Sequence, residues 1–510
     1  MPKQTLPNGA LKISGQITFD LVPFNTSTNG LNYSAITPTS ARGVTVEAVD
    51  AAGALLSCGV TDSNGEYEVS VAPNTDVRIR ARAEMVSDSV PSWEVKVLDN
   101  TSSSALYAIT GGIASSGSTD STRNLNAVSG WGGSNYTITR AAAPFAILDP
   151  IYDAIQKIVA VDPNVVLPTA DFNWSTRNRA ANGNRANGDI ATSSYVGNGQ
   201  LFILGNANQD TDEYDRHVVT HEWGHYFEDQ LSRSDSMGGP HLIDERLDPR
   251  IAMGEGFGNA IAGIVTDDPF YRDSSGNQQS AGFAINVETN NPTGWYDEAT
   301  VQSVIYDLYD MNNDGNDNIT LGFGPIYETL TATDYKQQPL FTTIYSFLAE
   351  LKSQQPSSAA LIETMAAARG INSTSADGAG ETNNGSITSS LPVYKQVVVN
   401  GGAVQVCSVN DNGVFNKLGN RAFLAFTAAS AGAHTLTMTR SSGASSRDPD
   451  FILYKNGTVI RRAESAAGES DTASLNLTAG AHVIDAYDFF NLGLGSSASG
   501  DSCYNFTVTR

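Results

Sequence analysis

The chain has 510 residues, room for several domains at the usual size of about 100–200 residues each. Hydrophobic residues make up 40% of it and charged residues 16%, so it can bury real cores and is not a disordered chain. Acids outnumber bases 54 to 30, for a net charge of −24, which argues against nucleic acid or an anionic membrane as the main partner.

No apolar run reaches the roughly 18 residues of a membrane span. Three cysteines are too few for a disulfide scaffold. Cys407 and Cys503 bracket the C-terminal segment, and whether they are joined stays open; Cys58 stands alone. The opening MPKQTLPNGALKISG lacks the apolar core of a signal peptide. Either the protein is cytosolic, or this is a processed chain that is secreted or held at the cell surface; the Ser/Thr/Asn/Gly-rich, Lys-poor composition favours the second.

The first segment reads as β. VTVEAV (44–49), YEVSVA (67–72) and VRIRARA (77–83) alternate apolar and polar residues, with turn signals DSNGEY and APNTD between them. The stretch TDSNGEYEVSVAPNTDVRIRARA resembles the small transthyretin-like or carboxypeptidase-regulatory-like β-sandwich, which implies a domain over 1–98. Residues 99–140, rich in Ser, Thr and Gly, read as a linker or extension. From Ala141 the period becomes helical. PFAILDPIYDAIQKIVAV places Ile151, Ile155 and Ile158 on one face, and a strand GQLFILG (199–205) follows. A helix is predicted over 212–231, with Asp212 as N-cap and Glu213 and Asp215 at its positive end. Further helices are predicted at 249–265, 298–310 and 338–352. From Pro392 the pattern returns to β, with Asn456-Gly457 as a hairpin turn. DPDFILYKNG resembles the pre-peptidase C-terminal sandwich of secreted bacterial proteases, over 392–510.

The sharpest motif is HEWGH. Two histidines four apart share one helix face, so His221 and His225 can reach one metal ion, with Glu222 beside them to hold a water without ligating. By chance, H-E-x-x-H arises with an expectation of about 0.0025 in this chain. The opposite face carries Val219, Trp223, Tyr226 and Phe227, which read as core. Asp248-Pro249 then starts a helix containing MGEGFGNAIAGIV. A catalytic zinc takes three protein ligands, and Glu255 is the best third one. Gly254, Gly256 and Gly258 lower helix propensity, so a close approach of two helices is expected there.

HEWGH followed by GEGFGN resembles the gluzincin zinc metallopeptidases, the group of thermolysin and fungalysin, over roughly 140–390. The resemblance implies an α+β zincin catalytic domain with a mainly helical C-terminal lobe, here over 141–391 and between the two β-sandwiches of a multidomain chain. It also implies one catalytic zinc on His221, His225 and Glu255, with Glu222 as general base. Asn259 stands where such enzymes often place a carboxylate that orients a ligand histidine. No histidine lies between His241 and His434, so the oxyanion role of a downstream histidine passes to Tyr296 in GWYDEATVQSVIYDLYD, with Tyr306 in reserve. GQLFILG is expected to be an edge strand that takes substrate as an added strand through Ile203 to Asn206. His217 and His241 read as surface histidines. Asp310, Asn312 and Asp314 alternate before Gly315 like the start of a calcium loop, although Leu321 replaces the bidentate Glu.

Three functions follow. The first is a secreted zinc endopeptidase acting on a protein or peptide substrate, expected as a monomer. The second is a narrow-specificity aminopeptidase or glycoprotein-directed peptidase on the same core. The third is a non-catalytic surface-binding protein with a vestigial metal site.

Overall fold

The computed structural model describes residues 9–289, 293–312, 318–465, 468–493 and 500–510. The chain forms two compact units, Met1–Gln230 with Ile261–Asn286, and Leu231–Ala260 with Val287–Arg510. The division passes within one helix, Pro249–Thr266.

In the first unit the predicted strands form. Glu66–Val71 buries Tyr67, Val69 and Val71 and exposes Glu66 and Glu68, the alternation of a strand with one wet face. Leu11–Leu21 organises a five-stranded sheet, antiparallel to Glu66–Val71 and Thr37–Ser40 and parallel to Ser121–Thr122 and Leu125–Ala127. A ten-stranded sheet follows the order Ser194–Tyr195, Gln200–Ile203, Ala170–Trp174, Trp93–Asp99, Asp76–Ser87, Val44–Val49 and Leu55–Val60. Ala105–Leu106, Ala108–Thr110 and Ala114–Ser115 pair onto it.

Three expectations change. The boundary at 98 runs through a sheet, because Trp93–Asp99 pairs in parallel with Ala170–Trp174. Residues 99–140 are no linker, since they carry five short strands. Gln200–Ile203 is interior, flanked on both sides, and Ser194–Tyr195 is the edge. Alternation identifies a strand, but its pairing partner is a long-range choice that no local pattern records.

The parallel pair needs a long crossover, and helix α1 (Ala143–Val161) lies in it. Pro144 sits in its first turn, and Ile151, Ile155 and Ile158 are buried as the spacing predicts. Its Asp149 and Asp153 pair with Arg42 and with Arg216, the first residue of α2 (Arg216–Gln230). This fixes where α2 begins. The predicted start at Asp212 is four residues early, because Asp212, Glu213 and Asp215 are buried in other contacts.

The second unit begins with the first part of α3 (Pro249–Thr266) and includes α4 (Glu298–Tyr309), α5 (Phe323–Thr331), and the helices Ile344–Gln354 and Ala359–Ala368. The C-terminal segment forms two facing-type antiparallel-rich sheets. One has five strands, with Arg421–Ala428, Gly480–Asp488 and Pro449–Lys455 at its centre; the other has four, including Gly432–Ser442 and Ser502–Thr509. Leu424, Phe451, Leu453, Ile484, Leu436, Tyr504 and Phe506 from both sheets share one core. Asn456 and Gly457 both take positive φ, 48° and 74°, as a tight hairpin turn requires. Buried Arg250 at the start of α3 pairs with Asp248 and with Asp485 of the strand Gly480–Asp488, so the helical block and the C-terminal sheets lie in one unit.

Cys407 and Cys503 stand opposite each other on paired strands and are bonded, closing a separation of 96 residues. Cys58 is free. Replacing both bonded cysteines by Ser should destabilise the C-terminal sheets by about 2–4 kcal/mol, because the cut chain regains loop freedom when unfolded. Urea unfolding of the chain with and without the bond measures this. Among the described residues no helix is long and apolar enough to cross a membrane.

Candidate metal centre

In the first unit, α2 carries His221, Glu222 and His225. Its other face is sealed by Trp223, Tyr226 and Phe227, each 1% exposed, and the Tyr226 hydroxyl donates to the Pro168 carbonyl. The apolar side is thus anchored and the polar side faces inward: His221 and Glu222 are each only 9% exposed. The spacing brings the two imidazoles together, with Nε2 of His225 3.0 Å from Nε2 of His221 and ring centroids 4.7 Å apart. Nδ1 of His225 lies 3.4 Å from Oε2 of buried Glu228. A carboxylate there favours the proton on Nδ1 and leaves the Nε2 lone pair free, the arrangement a metal-ligating histidine uses. Glu228 was not among the predicted residues. It is three positions after His225 on the same helix, so helical spacing could have found it. Two inward Nε2 atoms at ligand–ligand distance, backed by a carboxylate, fit a zinc ion.

The Glu222 carboxylate is aimed by the edge strand, since Oε2 accepts from the Tyr195 amide at 2.7 Å. His217, predicted at the surface, is 4% exposed, and its Nε2 lies 3.1 Å from Thr266 Oγ1 and 3.2 Å from the Asp268 carbonyl. Burial lowers its pKa to about 4, so it stays neutral at ordinary pH. Tyr271, with its hydroxyl pushed well up by burial, places its ring 6.0 Å from that of His221.

In the second unit, Glu255 lies on α3 and is 7% exposed. His241, also expected at the surface, puts Nε2 3.4 Å from Glu255 Oε2 and 3.3 Å from Glu298 Oε2. Burial pushes the Glu298 carboxyl up to about 8. Asn259 donates from Nδ2 to Gln302 Oε1 at 3.0 Å. Gly256 explains part of the glycine pattern: a Cβ there would lie 2.6 Å from Val301 Cβ and 2.9 Å from the Glu298 carbonyl, so α3 and α4 touch at this point. Gly256→Ala should therefore lower stability by about 1–3 kcal/mol through overpacking, although Ala favours an isolated helix by roughly 1 kcal/mol. Thermal unfolding of the variant reads the sign directly.

Tyr296 is buried, and its hydroxyl faces two acceptors, the Thr293 carbonyl at 2.8 Å and Asn383 Oδ1 at 3.0 Å. A phenol has one proton, and here it is committed inside the second unit, which differs from the expected donor role. Of the calcium loop, Asp310 and Asn312 are described, while Asp314 and Gly315 lie outside the described residues.

Residues 172–366 match the Mycolysin C-terminal domain, which sets that stretch in a peptidase-family context. The match spans less than half of the chain. No curated protein matches it. Among solved structures, the pre-peptidase C-terminal domain of collagenase from Bacillus anthracis is 14% identical, covering 22% of this chain and 93% of that one at a TM-score of 0.18. A family 35 carbohydrate binding module from Clostridium thermocellum is 20% identical, covering 21% and 88% at a TM-score of 0.13. Likenesses this low carry no argument about this chain.

Proposed function

We propose that the chain is a secreted zinc-dependent endopeptidase. The observation that carries the reading is the pair of a buried His221 and a half-buried His225, with converging Nε2 atoms and Glu222 beside it. The match of residues 172–366 to the Mycolysin C-terminal domain supports it. In this reading the metal would be held by His221 and His225, with Glu255 as the third ligand that the sequence suggests, a two-nitrogen, one-carboxylate donor set that suits a catalytic zinc. When bound, zinc supplies Lewis-acid polarisation of the scissile carbonyl and acidifies water at its open position. Glu222 takes the proton of the attacking water on the oxygen that Tyr195 does not use, then passes it to the leaving amine. Glu228 holds the His225 ring in its ligating tautomer. The edge strand Ser194–Tyr195, rather than Gln200–Ile203, is where an extended peptide would add. An oxyanion role for Tyr296 would require its hydroxyl to leave Thr293 and Asn383, so the reading does not rest on it.

The test is metal content of the purified protein together with casein hydrolysis, before and after chelation and return of zinc. One zinc per chain, with hydrolysis lost and restored, is the expected result. Absence of zinc, with none taken up when it is supplied, would sink the reading.

A further inference from the structure

The first unit also holds a pocket of about 210 Å³, and no residue of α2 lines it. One wall is aromatic. The Gly132 amide donates to the Asn135 carbonyl at 2.8 Å, and this turn sets Trp131 across from Tyr136 in an antiparallel bridge. Tyr33 stacks on Trp131, with centroids 3.8 Å apart and planes 17° apart. Tyr136 stands nearly upright against both rings, at 81° and 83°. The other wall carries the amide side chains of Asn208, Gln278 and Gln279. All three residues take positive φ, 64°, 58° and 48°, a conformation that residues with a side chain seldom adopt and that persists where the surroundings enforce it. The enforcing contacts are visible. The Gln278 amide donates to Asn208 Oδ1 at 2.9 Å, and its Nε2 donates to the Ser134 carbonyl at 2.9 Å, which ties the amide wall to the aromatic turn.

Two polar groups are left over in this frame. Gln279 is 1% exposed, and its Nε2 donates to the Ser274 carbonyl at 3.0 Å, but its Oε1 has no partner. A buried acceptor without a donor is costly until something answers it. The Tyr33 and Tyr136 hydroxyls bond each other at 2.8 Å, which uses one of their two protons and leaves the second to donate. The pocket therefore offers an apolar wall, one buried acceptor and one donor. Among the described residues none that lines it is charged, so an ionic ligand finds no counter-charge. A quaternary ammonium is disfavoured too, because the Arg140 guanidinium already lies over the Tyr136 ring at 4.5 Å. An apolar cavity of about 150 Å³ admits benzene, so this one has room for a single six-membered ring with its substituents.

We propose that this pocket binds a neutral pyranose sugar. Its C–H face packs on the wall of Tyr33, Trp131 and Tyr136. One sugar hydroxyl donates to Gln279 Oε1, and another accepts the spare proton of the tyrosine pair. An aromatic wall with a few fixed polar groups is the usual make-up of a small-molecule site. The inference does not rest on the peptidase reading, because it shares no residue with the histidine site and is read by binding alone.

The experiment titrates the full chain with glucose, galactose, mannose and N-acetylglucosamine, and with a linked trimer of each, followed by calorimetry and tryptophan fluorescence. The expected result is one site with a Kd of about 1 mM or tighter for at least one of them. Choline chloride and inorganic phosphate should not compete. Trp131→Ala should weaken binding about tenfold or more, and Trp131→Phe, which keeps a ring, should weaken it less. Tyr33→Phe, which keeps the wall and removes one hydroxyl, should weaken it about fivefold. Should Trp131→Ala not fold, hydroxyl-radical footprinting of the wild type carries the test, with saturating sugar protecting Trp131 and Tyr136. Tighter binding of a trimer than of its monomer supports the proposal with a glycan chain as the source, and equal affinity supports it with a free sugar. Binding of no sugar at about 10 mM, equal binding by a folded Trp131→Ala, displacement of the sugar by choline, or no protection of Trp131 and Tyr136 would each overturn the proposal. In the first case water alone answers Gln279.

Discussion

Glu222→Gln should lower peptide hydrolysis by about 10²–10⁴-fold while the zinc content stays at the wild-type level. The amide keeps the shape of the side chain and can still accept from the Tyr195 amide, whose nitrogen lies 2.7 Å from Oε2. It cannot take a proton from water. The loss should fall on kcat, with KM little changed, because the carboxylate acts on the reacting water and not on the peptide. Steady-state kinetics on a casein-derived peptide, paired with metal analysis of the same sample, check both parts. A variant that keeps its zinc and its full activity would remove Glu222 from the mechanism. A folded wild type with zinc and no hydrolysis of any peptide would favour the surface-binding reading instead.

Arg140→Ala should destabilise the first unit by about 3–5 kcal/mol. Arg140 Nη1 lies 2.6 Å from Oε1 of Glu213, and the two side chains are 4% and 0% exposed. Trp174 Nε1 donates to the second Glu213 oxygen at 3.3 Å, and the guanidinium packs over the Tyr136 ring at 4.5 Å and also donates to the Gly205 carbonyl. Removing the arginine strands a carboxylate in the interior with one indole as donor. The cost is that of an uncompensated buried charge rather than the modest net worth of the pair. Urea unfolding followed by tryptophan fluorescence reads the change. Arg140→Met combined with Glu213→Leu should recover much of the loss, since it removes both charges at similar volume. Glu213 lies three residues before α2, so the single variant should also lower hydrolysis through the position of His221.

The elements were largely legible in the chain. Alternation found Val44–Val49 and Asp76–Ser87, helical spacing found α1, and Asp248-Pro249 marked the start of α3. So was the meeting of His221 and His225 on one face of α2, because side chains four residues apart on a helix are neighbours, a local geometry fixed by 3.6 residues per turn. What could not be read were the choices made between distant segments. The pairing of Trp93–Asp99 with Ala170–Trp174 erased a domain boundary, and the pairing of Ser194–Tyr195 outside Gln200–Ile203 moved the sheet edge. Asp212 looks like a helix cap from its neighbours alone, yet it is buried, and Asp273, some sixty positions on, brings a second carboxylate beside it. Tyr296 has the right side chain for an oxyanion donor, yet the Thr293 carbonyl and Asn383 Oδ1 are the acceptors its one proton faces. Local sequence determined which secondary structure forms and which residues share a helix face, because those depend on dihedral preference and period. The tertiary structure alone decided which strand is an edge, which acid is buried and which hydroxyl is free, because each depends on what another part of the chain brings within a few ångströms.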